Sequence, residues 1–257
     1  MTSQAPNSAS LRELAEKRLL PDHQIMDQDT LTWLIRRRPI VGAAPALPHR
    51  PLLLMPEVVW FADPLLTDSI HGIRHGARVC VLASLLAHEH GLSRDDTAAL
   101  CTAAAVHDCR RRDDRDDPEH GKRAADWFTR NSSTVMAAFG HHVPAHAVAW
   151  AATAIGLHNI PYSAFTLADT RAYQQDPLLV DLLKAADCLD RYRLPLQRWW
   201  PDPSHLRIAL PGWLPPIAFD LMAGSEQARL DGATHREALT HALYTLSNGR
   251  QNRHARR

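Results

Sequence analysis

The chain lacks any run near the roughly 20 apolar residues that a membrane-spanning helix needs. Its opening stretch, MTSQAPNSASLRELAEKRLLP, has no apolar core of signal-peptide length. A cytoplasmic protein is the expectation. No CxxC pair occurs among the four cysteines Cys80, Cys101, Cys109 and Cys188, which argues against a disulfide framework and for buried thiols in a reducing compartment. Excess charge is missing too. The net charge is +1, so bulk electrostatics favour neither a nucleic-acid coat nor a membrane surface. There is no internal repeat and no convincing strand alternation, which leaves an all-α architecture.

What is present is ordinary in bulk and unusual in detail. A hydrophobic share of 45% and a charged share of 22% suit one large folded domain, or a domain with an appendage. Sixteen histidines are many, and they cluster between His71 and His158. Residues 1–10 are polar and read as disordered. Residues 21–66 are rich in proline and short apolar runs, which predicts short helices and extended loops. The RRRP run at Arg36 to Pro39 reads as a solvated face, with a basic patch as the functional alternative.

A short helix is expected over residues 11–20. From residue 69 the pattern changes. Thr67, Asp68 or Ser69 can cap a helix that ends near His90 and Gly91. His75, Val79, Leu82 and Leu86 share its apolar stripe, with His71 one turn earlier on the same side. Ser93 opens the next helix with Asp96 in capping-box position. That helix, apolar nearly all round, ends in His107 and Asp108. An ionised Asp at the end of a buried helix is costly unless it is paired or bound to a cation.

A charged loop, RRRDDRDDPEHG over residues 110–121, follows, and a helix resumes at Lys122. Pro144 can start the next helix, whose stripe of Val148, Ala151, Ile155 and His158 again has helical spacing. A loop is expected from Tyr162. Over residues 178–192 Asp187 shares a stripe with Val180 and Leu183, and Asp190 and Arg191 are a possible structural pair. Helices are predicted over 217–229 and 235–246, before a basic tail.

One buried His is more often a hydrogen-bonded core residue than a ligand. Three helices that each turn an imidazole or carboxylate inward need one common solution, and a divalent metal supplies it. Imidazole and carboxylate suit Mn, Fe, Co, Ni or Zn better than Ca.

At these residues the sequence resembles the HD superfamily of metal-dependent phosphohydrolases. HGARV supplies His75, AAAVHDC supplies the doublet His107 and Asp108, and KAADCLDRYR supplies Asp187. The likeness spans roughly residues 69–195. It implies an HD-type helical domain over 67–195, flanked by Pro- and Trp-rich, partly helical extensions at 1–66 and 196–257. Those extensions are candidates for a pocket lid or a dimer face of a homo-oligomer.

The resemblance also implies hydrolysis of a phosphate ester of a small molecule, most often a nucleotide. His75, His107, Asp108 and Asp187 would hold the metal. Asp108 would orient a water or bridge two ions. Arg111, Arg112, Lys122 or Arg123 would neutralise the phosphate. Some subfamilies add histidines for a second metal. His120 and His158 are the candidates, with His141 and His142 behind them, and His120 lies closer to the doublet than is usual.

A branch of the superfamily uses a di-iron centre of four His and two Asp to oxidise small molecules with O₂, and this chain has that many ligands. A regulatory module with a structural metal is a third reading. A nuclease finds slight support in the RRRP run and the tail, but not in the charge balance.

Overall fold

The computed structural model describes residues 9–39 and 44–248. Regular elements among these residues are all helical, with no strand, as the sequence implies. In chain order the α-helices are α1 (Leu11–Glu16), α2 (Gln28–Arg36), α3 (Ile73–Glu89), α4 (Arg94–Val106) and α5 (His120–Ala138). There follow α6 (Ala145–Leu157), α7 (Leu167–Tyr173), α8 (Pro177–Asp190), α9 (Leu214–Leu230) and α10 (His235–Asn248). No helix among the described residues is long and apolar enough to cross a membrane.

α3 is the central pillar. It packs against α4, α8, α9 and α10, so it is buried nearly all round. Leu82, Leu85 and Leu86 have no exposed surface, and each such burial stabilises the fold by about 2 kcal/mol. α4 and α6 carry alanine-rich faces that let them lie close to each other and to α8. The proline- and tryptophan-rich segments on either side join the same core. Leu31, Leu34 and Trp60 from one side and Trp200, Phe219 and Leu246 from the other belong to one cluster with α3, α4 and α8.

Several local expectations are corrected. The helix expected from residue 69 starts at Ile73, with Gly72 as its N-cap. The preceding residues Pro64–Asp68 form a separate 3-10 turn capped by Asp63. The chain then folds back so tightly that a Cβ on Gly72 would lie 2.3 Å from the Thr67 carbonyl oxygen. His71 therefore stands before α3, not on it. Ser93 caps α4 by accepting the Asp96 N–H, but the Asp96 carboxylate takes the Ser93 hydroxyl, so no reciprocal capping box forms.

The helix resuming at Lys122 begins two residues earlier, at His120. The loop expected after Tyr162 contains α7, because Thr166 and Asp169 form a capping box that starts a helix there. Cys80, Cys101 and Cys109 are buried free thiols, whereas Cys188 is half-buried.

The RRRP run is not a free basic patch. The Arg37 guanidinium lies 4.6 Å from the Trp33 ring centre, and Arg38 pairs with Asp220 at 2.8 Å. Asp190 pairs with Arg78 rather than Arg191, whose Nε donates to the Trp199 carbonyl. The basic tail over 250–257 and most of residues 1–10 lie outside the described residues.

Candidate metal centre

Two helix pairs build the site in the same way. His75 is the third residue of α3, and His107 is the C-cap of α4. Gly76, next to His75, sits so near α4 that a Cβ there would meet the Ala105 carbonyl oxygen at 2.5 Å. His120 opens α5, and His158 is the C-cap of α6. Gly121, next to His120, sits against the end of α6, where a Cβ would lie 3.1 Å from the Ile155 carbonyl oxygen. Each pair joins a histidine in a first helical turn to one at a helix C-terminus, across a glycine.

The proton positions follow from the partners. His107 Nδ1 is 2.8 Å from the Ala104 carbonyl, and His158 Nδ1 is 2.6 Å from the Ile155 carbonyl. His120 Nδ1 contacts the Asp117 carbonyl, and His75 Nδ1 is 2.8 Å from Asp190 Oδ2. Carbonyl and carboxylate oxygens only accept, so each Nδ1 carries the proton and donates it. At α4 and α6 this satisfies a carbonyl of the last turn, which has no intrahelical partner.

The four Nε2 atoms are then left with lone pairs, and they point at one another. His75 and His107 face at 3.1 Å, and His120 and His158 at 3.0 Å. Two acceptors at that distance form no hydrogen bond. A cation between them removes the conflict. Two donors sharing one ion at bonds of about 2.1 Å are about 3 Å apart, so the donor sets fit a metal.

Carboxylates complete both sets. Asp187 Oδ1 lies 3.4 Å from His75 Nε2 and 3.8 Å from His107 Nε2. Asp108 reaches both pairs. Its Oδ1 is 2.9 Å from His120 Nε2 and 3.4 Å from His158 Nε2, and its Oδ2 is 3.4 Å from His75 Nε2. Because the neighbouring Nε2 atoms carry no proton, the buried Oδ1 has no hydrogen-bond donor. Three groupings of these residues have donor atoms mutually within 4.8 Å, one of them including His71.

The electrostatics keep Asp108, Asp187, His107 and His158 in ligand form. Burial alone would raise the Asp108 carboxyl. The Arg111 guanidinium, its Nε 3.5 Å from Oδ2, outweighs it and holds the group well below the usual carboxylate range. Burial likewise opposes ionisation of Asp187, but His107, His75 and Arg193 keep it depressed. Burial pushes His107 down to about 3 despite Asp108, and it lowers His158 as well. His71, driven well down by burial and by Arg111 and Arg193, sets its Nδ1 3.0 Å from Asp108 Oδ2.

A cavity of about 1470 Å³ opens onto Asp108, Asp187, His120 and His158, while the fully buried His75 and His107 do not line it. Of the four cations expected near the phosphate, Arg111 alone lines this cavity, with its Nε 3.5 Å from Asp108 Oδ2. Lys122 is exposed beside Glu119, Arg123 pairs with Asp117, and Arg112 is exposed.

Sequence reasoning missed Arg193 and Lys184. Arg193 is buried in the cavity wall, its Nη1 without a hydrogen bond and 3.7 Å from Asp190 Oδ2. Lys184 donates to the His158 and Ile160 carbonyls at 3.0 and 2.6 Å. Both sit one or two turns from Asp187, and that spacing was the available signal. His141 and His142, the reserve candidates, do not line the cavity. Compared with protein-family models, with curated proteins and with solved structures, the chain matches none.

Proposed function

We propose that this protein is a metal-dependent phosphohydrolase of the HD type that holds two divalent ions. The observation that carries the reading is the pair of facing, unprotonated Nε2 contacts, each beside a carboxylate and both touching Asp108. His75, His107 and Asp187 would hold one ion, His120 and His158 the other, with Asp108 between them.

Ions in such sites supply water acidified to near-neutral pKa and Lewis acidity toward a phosphoryl oxygen. Arg111 and Arg193 flank Asp108 and bring the positive charge that a phosphate ester requires. Arg18, Arg191 and Arg198 also line the cavity and make no ion pair among the described residues. An anionic small molecule suits these walls, and the motif resemblance makes a nucleotide the first candidate.

A second reading has its own support. All four His and both Asp of the set used by the oxygen-dependent HD branch meet in this site, including His120 despite its short spacing from the doublet. The same preparation separates the two readings. Metal content and phosphate release from a nucleotide and sugar-phosphate panel are measured on wild type and Asp108→Ala, with O₂ uptake alongside. The hydrolase reading expects about two ions per chain and phosphate release, both lost in the variant. Two irons with O₂ uptake and no phosphate release would favour the oxygenase. A wild type that takes up no Mn, Fe, Co, Ni or Zn would end both readings.

A further inference from the structure

The metal centre is tied to the C-terminal helices by a buried chain of charges. His75 donates from Nδ1 to Asp190 Oδ2 at 2.8 Å. Arg78 forks onto the same carboxylate, with Nε to Oδ1 at 2.7 Å and Nη2 to Oδ2 at 3.0 Å. Its remaining nitrogen, Nη1, donates to Glu226 Oε1 at 2.5 Å. Glu226 comes from α9, on the far side of α3. It also accepts Arg74 Nη2 at 2.8 Å, and Arg74 continues to Asp68 and to His235 at the start of α10. His75, Arg78, Asp190, Arg74 and Glu226 are each at most 2% exposed.

Two of the shared groups link Glu226 to His75. Asp190 Oδ2 divides itself between the Arg78 guanidinium and the His75 imidazole. Arg78 in turn divides itself between Asp190 and Glu226. In a low-dielectric interior these pulls are unscreened. A carboxylate that accepts the far proton of a ligating imidazole raises the basicity of that ligand. The more Glu226 draws the charge of Arg78 toward itself, the more freely Asp190 accepts from His75.

We propose that Glu226 is a positioning residue for the metal centre. Acting through Arg78 and Asp190, it sets how strongly His75, and with it the His75, His107 and Asp187 half of the site, holds a divalent ion. Among the described residues no carboxylate backs the other half in this way: the outer nitrogens of His120 and His158 face backbone carbonyls. The inference rests on the two-ion reading.

The test is calorimetric titration of Mn²⁺ and Co²⁺ into metal-free full-length protein. His158→Ala identifies which binding step belongs to which half. Glu226→Gln is expected to weaken the His75 step about tenfold or more and to leave the His158 step unchanged. Should Glu226→Gln fold poorly, the double variant Arg74→Gln, Glu226→Gln removes one cation with the anion and keeps the buried charge balanced, and it is expected to show the same one-sided loss. Both steps unchanged, or both weakened alike as general loosening would do, overturns the inference while the two-ion site stands. A wild type that binds neither ion overturns the site and the inference together.

Discussion

Asp114 and Asp190 are both buried carboxylates, with opposite outcomes. Asp190 touches Arg78 on both oxygens and, against the cost of burial, is depressed to about 2. Asp114 accepts the Gln24 N–H at 2.7 Å and the Ser69 hydroxyl at 3.2 Å, with no guanidinium in hydrogen-bond contact, and burial raises it to about 6. Below about pH 4 the folded and unfolded chains both carry the Asp114 proton; between roughly 4 and 6 only the folded chain does. Stability therefore falls as pH rises through that window, and the ionised group costs the fold about 3 kcal/mol above it. Asp114→Asn removes this loss but leaves one donor facing an amide NH₂, a cost of about 1 kcal/mol. Urea unfolding of metal-free protein should find the variant more stable than wild type by about 1–2 kcal/mol at pH 7.5, with the advantage gone at pH 4. An unchanged difference between the two pH values would refute the assignment.

At the scale of helices, the site depends on how closely α3 meets α4 and α5 meets α6. A Cβ at Gly76 would meet backbone, the Ala105 carbonyl oxygen at 2.5 Å, which cannot move without α4. Gly76→Ala should force the helices apart, separate His75 from His107, and cost about 1–3 kcal/mol together with one bound ion per chain. At Gly121 the nearest atom is Asn159 Oδ1, a side chain that can turn away, with backbone only at 3.1 Å. Gly121→Ala should be milder and retain both ions. Metal stoichiometry and melting temperature of the two variants check this, and equal losses would contradict the geometry.

Over the whole molecule the two extensions are parts of the site as much as covers for it. Arg18, Leu19 and Leu20 from one and Arg198, Trp199 and Leu206 from the other line the cavity over Asp108 and Asp187. An ion that binds only the folded chain stabilises it by mass action, about 4 kcal/mol at a thousandfold excess over Kd. For a chain of this length that is about 10 °C in melting temperature. Chelation of metal-loaded protein should lower the melting temperature by about that much, restored by Mn²⁺ or Co²⁺. Identical melting with and without chelator would mean that a proton on one Nε2 of each facing pair, donated to the other, takes the place of an ion.

Sequence by itself determined the helical architecture and most of the candidate donor set. Period-3.6 stripes put His75, His158 and Asp187 among apolar neighbours, which turns them inward: His75 and His158 are buried and Asp187 is half-buried at the cavity. The doublet at the end of an apolar helix marked His107 and Asp108 for the same reason. Tertiary structure decided the pairing. That His75 faces His107 and His120 faces His158 depends on helix ends meeting across Gly76 and Gly121, between residues 32 and 38 positions apart. It also decided which cations face the cavity. Arg111 turns inward while Arg112 and Lys122 turn to solvent, a choice made by the path of an irregular loop with no period to read. The partnership of Glu226 with Arg78 spans 148 positions and exists only because α9 packs against α3, a contact that no local pattern encodes.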